Sequence, residues 1–248
     1  MSTFLRYSNL PEGKVTSLIC GGLNNELIGF FESRGIEILY SSENTLVDEA
    51  VSKHADLSVL YLGMGRIIVD KWQRELISQL RKSGLSVTET VNRVEGLYPN
   101  DCILNHAVVG SRIIGKSKNF DDSVKKASAY FDVISVNQGY CKCSVLPVDS
   151  NSIITDDESI ARNSKEKGLN CLLISKGDVF LEGHEYGFIG GASGKISKEE
   201  VMFFGDITKH RDYGKIEQFI FERGIKIISF DFPLTDFGGI IPIKENIF

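Results

Sequence analysis

One type of segment recurs along the chain: an amphipathic helix, a glycine and a β-branched strand. In residues 216–233 the spacing of apolar residues changes at Gly224, from the three-or-four step of a helix to a continuous run. Glycine at such a boundary supplies the left-handed conformation that ends a helix. The other copies are residues 27–44, 76–93, 123–138 and 160–177, with Gly35, Gly84, Tyr130 and Gly168 at the boundary. The pattern predicts five α/β units.

The stretches ahead of these helices predict a β-hairpin in each unit. Residues 56–72 have two apolar runs joined at a glycine-rich turn, and residues 139–157 have two runs around Asp149. In the last unit we predict a hairpin from residues 177–183 and 185–191, with residues 199–206 as an additional strand. A short strand at residues 238–243 is predicted to pair beside residues 15–20 and complete the first unit. The domain prediction is a single domain, residues 1–248, with units at approximately 14–54, 55–97, 98–138, 139–177 and 178–248.

Charge and cysteine content narrow the function classes. The chain has 28 basic and 33 acidic residues and a net charge of −5, which disfavours broad electrostatic binding to nucleic acid. Its five cysteines are an odd number without disulfide-like spacing, so a reducing cytoplasm is predicted. No apolar run approaches the roughly 20 residues that span a bilayer, and the start does not resemble a signal peptide. We expect a cytoplasmic protein that binds no membrane.

No cofactor is predicted from the glycine-rich stretches. The Gly63-x-Gly65 turn has Ile68 where a dinucleotide-binding motif needs its third glycine, and it joins strand to strand. Residues 187–195 have Ile189 where a phosphate-binding loop needs its first glycine, and Ile196 where it needs a hydroxyl. Both stretches are interpreted as tight turns with close backbone contacts.

Five units of hairpin, helix and strand resemble the pentein fold, the five-bladed α/β propeller of the guanidino-group-modifying enzymes. Residues 139–157, 185–194 and 233–243 (GYCKCSVLPVDSNSIITDD, EYGFIGGASG and PLTDFGGIIPI) are also similar to stretches of an uncharacterised bacterial family described as having that fold. The resemblance covers nearly the whole chain. It implies relatives that include arginine and agmatine deiminases, dimethylarginine hydrolases and amidinotransferases, together with a non-enzymatic ribosome anti-association factor.

The resemblance implies a cysteine thiolate that attacks a guanidinium carbon, a histidine that transfers protons and carboxylates that hold the cation. This sequence departs from that set. Residues 236–242, where the nucleophile usually lies, keep the glycines but have no cysteine. Residues 175–178 match a Glu-Gly-Gly-Asp motif only in Gly177 and Asp178, and the His-x-Asp motif that begins at His210 lies in a predicted surface turn. The usual catalytic set is therefore not at its usual places.

We predict that any chemistry uses the third and fourth units. Cys143, placed on a strand whose alternation puts Cys141 on the same face, is the candidate nucleophile, with His106 and Asp101 as candidate catalytic partners. Hairpins that begin at one end of the ring bring further candidates to a central pore, and the ligand-binding candidates are Asn100, Asn105, Asp178 and Asp236. Converging carboxylates favour a cationic ligand such as a guanidinium.

Alternatives remain open at this point. Cys143 also suits a packed core position, and the three aspartates suit turns in which they bond their own backbone. His54 is interpreted as solvent-facing. A metal site is not predicted, because Cys141-x-Cys143 lacks two further ligands at zinc-binding spacing. The whole protein could equally be a non-catalytic propeller that binds a small ligand or a protein partner.

Overall fold

The fold is described from a computed structural model, for residues 2–247. The α-helices are α1 (Asn25–Ser33), α2 (Ala55–Ser58), α3 (Arg74–Lys82), α4 (Asp122–Ser128), α5 (Cys141–Ser144), α6 (Glu158–Glu166) and α7 (Tyr213–Phe221). The strands are β1 (Ser2–Phe4), β2 (Lys14–Cys20), β3 (Glu37–Tyr40), β4 (Val59–Gly63), β5 (Arg66–Val69), β6 (Ser86–Glu89), β7 (Ala107–Val109), β8 (Arg112–Gly115), β9 (Asp132–Ser135), β10 (Val145–Asp149), β11 (Ser152–Thr155), β12 (Asn170–Leu173), β13 (Ser193–Ser197), β14 (Glu200–Phe203), β15 (Lys226–Ile228) and β16 (Ile241–Asn246).

The same pairing recurs in sheet after sheet. Strands β4-β5-β6, β7-β8-β9 and β10-β11-β12 each form a three-stranded sheet, in which an antiparallel hairpin is followed by a parallel strand. A seven-stranded sheet contains β13-β14-β15 and β16-β2-β3 with the same relations, and β1 pairs with β16. The predicted pairing of the C-terminal strand beside residues 15–20 is confirmed, since Ile241 lies opposite Ile19.

Glycine ends the long helices where the sequence predicted. The φ angle of Gly35 is +66°, in the left-handed region, and its amide donates to the Glu32 carbonyl oxygen one turn back. The equivalent glycines, Gly84, Gly168 and Gly224, have φ angles of +88°, +81° and +68°. The unit without a boundary glycine also forms, with α4 ending at Ser128 and β9 beginning at Asp132.

The predicted hairpin of residues 177–183 and 185–191 is wrong. The hairpin of this unit is β13 with β14, and residues 177–191 contain no strand beyond an isolated bridge from Phe180 to Thr235. A side chain at Gly191 would lie 1.9 Å from the Asp236 Oδ1 atom. Residues 177–191 therefore pack glycine backbone against the Asp236 carboxylate, and glycine stabilises the hydrogen-bonded ladder of a β-sheet only weakly.

Buried apolar side chains fill the spaces between the sheets and the helices. Phe31 of α1, Leu80 of α3 and Ile216 of α7 are fully buried and belong to different core clusters. Within residues 2–247, none of the helices has both the length and the apolar character needed to cross a lipid bilayer.

Gly29, inside α1, and Gly35, just after its end, test how backbone conformation affects stability. A β-carbon at either position meets nothing within 4 Å, so packing does not change. Gly29→Ala, inside the helix, is expected to raise the free energy of unfolding by about 0.5–1 kcal/mol. Gly35→Ala is expected to lower it by about 1–2 kcal/mol, because φ is left-handed there. Urea unfolding of both variants measures this, and shifts of the same sign contradict it.

Candidate active site

A cavity of about 460 Å³ lies among the loops at which several units begin their hairpins. Its lining includes the polar or titratable residues His54, Asp101, Cys143 and Asp236, each less than a tenth exposed. Its outer part is lined by aromatic residues such as Tyr140 and Phe188. The cavity thus has a polar buried end and an apolar wall, which is the usual composition of a small-molecule site.

The thiol of Cys143 lies in a hydrogen-bonded cluster at the buried end. It donates to the Asp56 Oδ2 atom at 3.1 Å, and the Asn105 Nδ2 group donates to the sulfur at 3.1 Å. His54, Asp56 and Cys143 each offer one ligand atom within 4.8 Å of the others. A nucleophile, an imidazole and a carboxylate therefore share one small volume.

The Asn105 side chain shapes the backbone that carries Cys143. Its Oδ1 atom accepts from the Lys142 and Cys143 amides at 2.8 and 3.2 Å, and its carbonyl accepts from the Cys141 amide at 3.1 Å. These bonds hold residues 141–144 in a helical turn, so the predicted strand is wrong. The Cys141 thiol instead donates to the Gln138 carbonyl oxygen at 3.1 Å and lies in a hydrophobic core cluster that does not include Cys143.

Asp236 forms the other side of the buried end. Its carboxylate accepts from the Phe188 and Gly238 amides, both at 2.9 Å, and its Oδ1 atom lies 3.8 Å from the His54 Nδ1 atom. Gly238 has a φ of +77°, and a β-carbon there would be 2.6 Å from the His54 β-carbon. The C-terminal glycines thus let the chain pass close to the histidine.

Several buried polar atoms at this end have no hydrogen-bond partner. They are Asp56 Oδ1, His54 Nδ1 and Asp101 Oδ1. The second oxygen of Asp101 accepts a short hydrogen bond from the Tyr140 hydroxyl. Buried polar atoms are normally paired because an unpaired one costs free energy. Asp101 lines the cavity, so its unpaired oxygen is available to a ligand there, and the unpaired oxygen of Asp56 belongs to the carboxylate that accepts from the Cys143 thiol.

Burial and neighbouring charge determine the protonation states. Burial, with the charges of Asp56 and Asp236, raises the pKa of the Cys143 thiol well above its usual range. Burial also raises the pKa of Asp56, an effect that the Lys142 ammonium partly offsets, and that of Asp101. All three groups would be easier to ionise if a cation lay beside them.

The structure brings together four of the predicted site residues and separates three. Cys143, Asp101 and Asp236 line the cavity, and Asn105 contacts the thiol. The predicted role of His106 at the site is not supported. Its ring packs on Phe120 with centroids 4.3 Å apart, its Nε2 atom lies 2.9 Å from the Ile103 carbonyl oxygen, and burial lowers its pKa to about 4.

Asp178 and Asn100 also lie outside the cavity lining. The Asp178 carboxylate is held by the Arg211 guanidinium at 2.7 and 2.8 Å, which lowers the pKa of the carboxyl to about 2. Asn100 is exposed at the start of a short 3-10 helix. Both were assigned to the pore because of where their loops lie, and the position of a loop does not say where a side chain points.

Sequence reasoning missed His54 and Asp56. The prediction that His54 faces solvent is wrong, since it is 6% exposed. The spacing His54-Ala55-Asp56 is itself a His-x-Asp motif and could have found the pair. A second signal is that α2 leads directly into β4 as α5 leads into β10. Aligning the second unit with the fourth places Ala55–Ser58 opposite Cys141–Ser144 and indicates that both turns face the cavity.

The cluster also has the composition of a metal site. Nitrogen, oxygen and sulfur from His54, Asp56 and Cys143 are donors that zinc accepts, and three protein ligands with an open position are typical of catalytic zinc. The sequence argument against a metal considered only the pair Cys141-x-Cys143, whereas the three donors here do not include Cys141. The expected absence of a metal therefore stays a prediction.

Solved structures of similar fold match almost the whole chain. An amidinotransferase of the saxitoxin biosynthetic pathway from Microseira wollei has a TM-score of 0.63 and 12% identity, covering 99% of this chain and 98% of its own. The inosamine-phosphate amidinotransferase of Streptomyces griseus has a TM-score of 0.61 and 9% identity, covering 98% of both chains. Agmatine deiminase from C. jejuni has a TM-score of 0.54 and 12% identity, covering 93% and 91%.

At these identities the likeness shows the fold alone: a mixed α/β fold like that of these amidinotransferases and the deiminase, which confirms the predicted resemblance to the pentein fold. No curated protein matches the sequence. The model of a family of unknown function, DUF6873, matches residues 18–241. Because this range is most of the chain, the protein belongs to the DUF6873 family.

Proposed function

We propose that this protein is a Cys143-dependent enzyme that acts on a guanidino or amidine compound, as a hydrolase or an amidinotransferase. The observation that carries the proposal is the buried cluster in which the Cys143 thiol donates to Asp56 beside His54. Attack on an amidinium carbon needs a thiol, a proton carrier and carboxylates that hold the cation. Amidinotransferases and an agmatine deiminase have similar folds.

A guanidinium ion suits the unpartnered atoms of the site. Its planar set of N–H groups donates to carboxylate oxygens in pairs, and Asp56 and Asp101 each have a buried oxygen without a donor. The same positive charge would favour the thiolate of Cys143, whose pKa is otherwise raised by burial and by nearby carboxylates. Substrate binding and activation of the nucleophile are therefore one event.

The reaction then proceeds in two steps that balance. The Cys143 sulfur forms a bond to the amidinium carbon, its proton passes to His54, and the leaving amine takes that proton as its C–N bond breaks. In a hydrolase, water attacks the enzyme-bound amidino group, the C–S bond breaks and the thiol recovers its proton. In an amidinotransferase, an acceptor amine takes the place of water.

We also infer that the chain is a single domain, with units at approximately 14–54, 55–97, 98–138, 139–177 and 178–248 closing into a five-bladed propeller around the cavity. Support comes from the repeated strand pairing and from β2, which pairs with β16 of the C-terminus and contacts β13 through Lys14 and Ser197. We place the protein in the cytoplasm, since its five cysteines are free. The expected partner is a cationic small molecule rather than a nucleic acid.

Labelling of Cys143 tests the thiol chemistry. Chloroacetamidine carries a cationic amidine, whereas iodoacetamide is neutral. We expect rapid labelling of Cys143 at neutral pH by chloroacetamidine, blocked by a guanidino compound. Labelling by iodoacetamide should be slow and should rise with pH, because the thiol pKa is raised. Cys171, the one cysteine that is not buried, gives the background, which the Cys171→Ser variant removes.

Turnover provides the second readout. With a panel of guanidino compounds, Cys143→Ser should lose activity by at least about 10³-fold, and Cys171→Ser should retain it. Unchanged turnover in Cys143→Ser would refute the proposed nucleophile. A guanidino compound that binds at the cavity without labelling protection or turnover would favour the non-catalytic propeller instead.

A second candidate function is metal-assisted hydrolysis, favoured by the three donor atoms of His54, Asp56 and Cys143. A bound zinc ion would supply an activated water, and the thiol would act as a ligand rather than as a nucleophile. Metal binding would release the thiol proton, because the ligand is the thiolate.

Cobalt(II) distinguishes the two candidates, because a cobalt–thiolate bond absorbs in the near ultraviolet. If the metal function is correct, addition of cobalt should produce this charge-transfer band together with proton release. Cys143→Ser should lose the band and Cys141→Ser should keep it. A band that persists in Cys143→Ser, or no band at all, argues against a metal at this cluster.

A further inference from the structure

Four aromatic rings follow one another along the wall of the cavity. The centroids of Tyr98 and Tyr140 are 5.8 Å apart, and those of Tyr140 and Phe188 are 6.2 Å apart with planes 30° from parallel. Tyr186 continues the row, edge to face with Phe188 at 6.1 Å. All four line the cavity. Tyr98 is 45% exposed and Tyr140 less so, so the row runs from the surface inward.

The charged residues of the lining are acidic from one end to the other. Asp101 and Asp236 lie at the buried end, whereas Asp48 and Glu185 are more exposed. Among the described residues that line this cavity there is no lysine or arginine. His184 lies at the exposed end of the cavity, where its Nε2 atom is 3.3 Å from the Asp48 Oδ1 atom.

The lysines near the cavity do not line it: Lys142 is buried with its ammonium charge acting on Asp56, and Lys116 and Lys176 lie against the aromatic row. The Lys116 ammonium donates to the Tyr98 hydroxyl at 2.6 Å, and the Lys176 ammonium lies 5.9 Å from the Tyr186 ring centroid. An adjoining cavity of about 810 Å³, which shares Asp236 with the first, has Lys53 on its lining. Three glutamates line that cavity as well: Glu43, Glu49 and Glu182.

This lining distinguishes between classes of cation. A ligand carboxylate would enter a cavity that is lined by four acidic residues and, among the described residues, by no lysine or arginine, which disfavours amino-acid ligands. Aromatic faces attract alkylated, weakly hydrated cations, and their area favours an apolar body. The cavity volume, about 460 Å³, lies in the range of drug-sized ligands.

We infer that the substrate of this site is an N-substituted guanidinium or amidinium whose substituent is apolar or aromatic and carries no carboxylate. The inference rests on the proposed function for the reacting group, and on the aromatic row and the acidic lining for the rest of the molecule. The cationic head lies against the carboxylates near Cys143, and the substituent lies along Tyr140 and Phe188.

A matched pair of ligands tests this directly. Phenethylguanidine and the same compound with a para-carboxylate on its ring differ only in the excluded group, as do agmatine and arginine. Calorimetric titration of the full chain and of Cys143→Ser measures binding without relying on turnover. We expect the carboxylate to weaken binding at least about tenfold in both pairs, and phenethylguanidine to bind more tightly than methylguanidine.

Two variants assign these preferences to residues. Phe188→Ala should weaken phenethylguanidine binding by about 3- to 30-fold and leave methylguanidine nearly unchanged. Glu185 is an exposed residue of the cavity lining. Glu185→Lys should improve binding of the para-carboxylated compound relative to phenethylguanidine. Tyr130→Ala is the matched control, because Tyr130 is 77% exposed and is not part of the lining.

The outcomes separate this inference from the proposed function. Preferential binding of phenethylguanidine without Cys143 labelling or turnover supports the ligand class and rejects the enzyme. Turnover that prefers the carboxylated compounds supports the enzyme and overturns the ligand class. Equal binding within both pairs, or no binding of any of these cations, also overturns the ligand class.

Discussion

The side chain of Asn105 makes the four hydrogen bonds on which the geometry of the site depends. It donates to the Asp56 carbonyl oxygen at 3.2 Å and to the Cys143 sulfur, and it accepts from the amides of Lys142 and Cys143. One amide therefore joins three loops that are distant in sequence. Because a buried amide left unpaired is costly, any movement of one loop must be matched by the other two.

The second constraint is negative charge gathered in a buried space. Asp56 and Asp236 lie near one thiol, and the ammonium of Lys142 offsets only part of the effect on Asp56. Buried carboxylates of this kind cost folding free energy, so proteins keep them mainly where function requires them. Gly191 and Gly238 border the site because only a residue without a side chain lets the backbone pass so close to Asp236 and His54.

The sequence predicted what local chemistry determines. A change of apolar period at glycine gave the helix ends, and Gly35 has the left-handed φ that this role requires. The alternation of short apolar runs gave most hairpins and the pairing of Ile241 beside Ile19. Cys143 and Asp236 were also placed at one cavity, because equivalent loops of repeated units meet at the same end. The exception was residues 177–191, where a glycine-rich segment has the apolar spacing of a hairpin and packs as a loop.

The amino-acid sequence by itself determined most of the helices, hairpins and parallel strands and the order in which they follow one another. Only the tertiary structure decided which side chains face the cavity. Cys143 turns toward Asp56 because Asn105, 38 residues away in the chain, coils its backbone into a helical turn. His54 is buried by the C-terminal glycines, whereas Asp178 is drawn away by Arg211. Side-chain direction in a loop depends on such long-range contacts, and no local pattern encodes them.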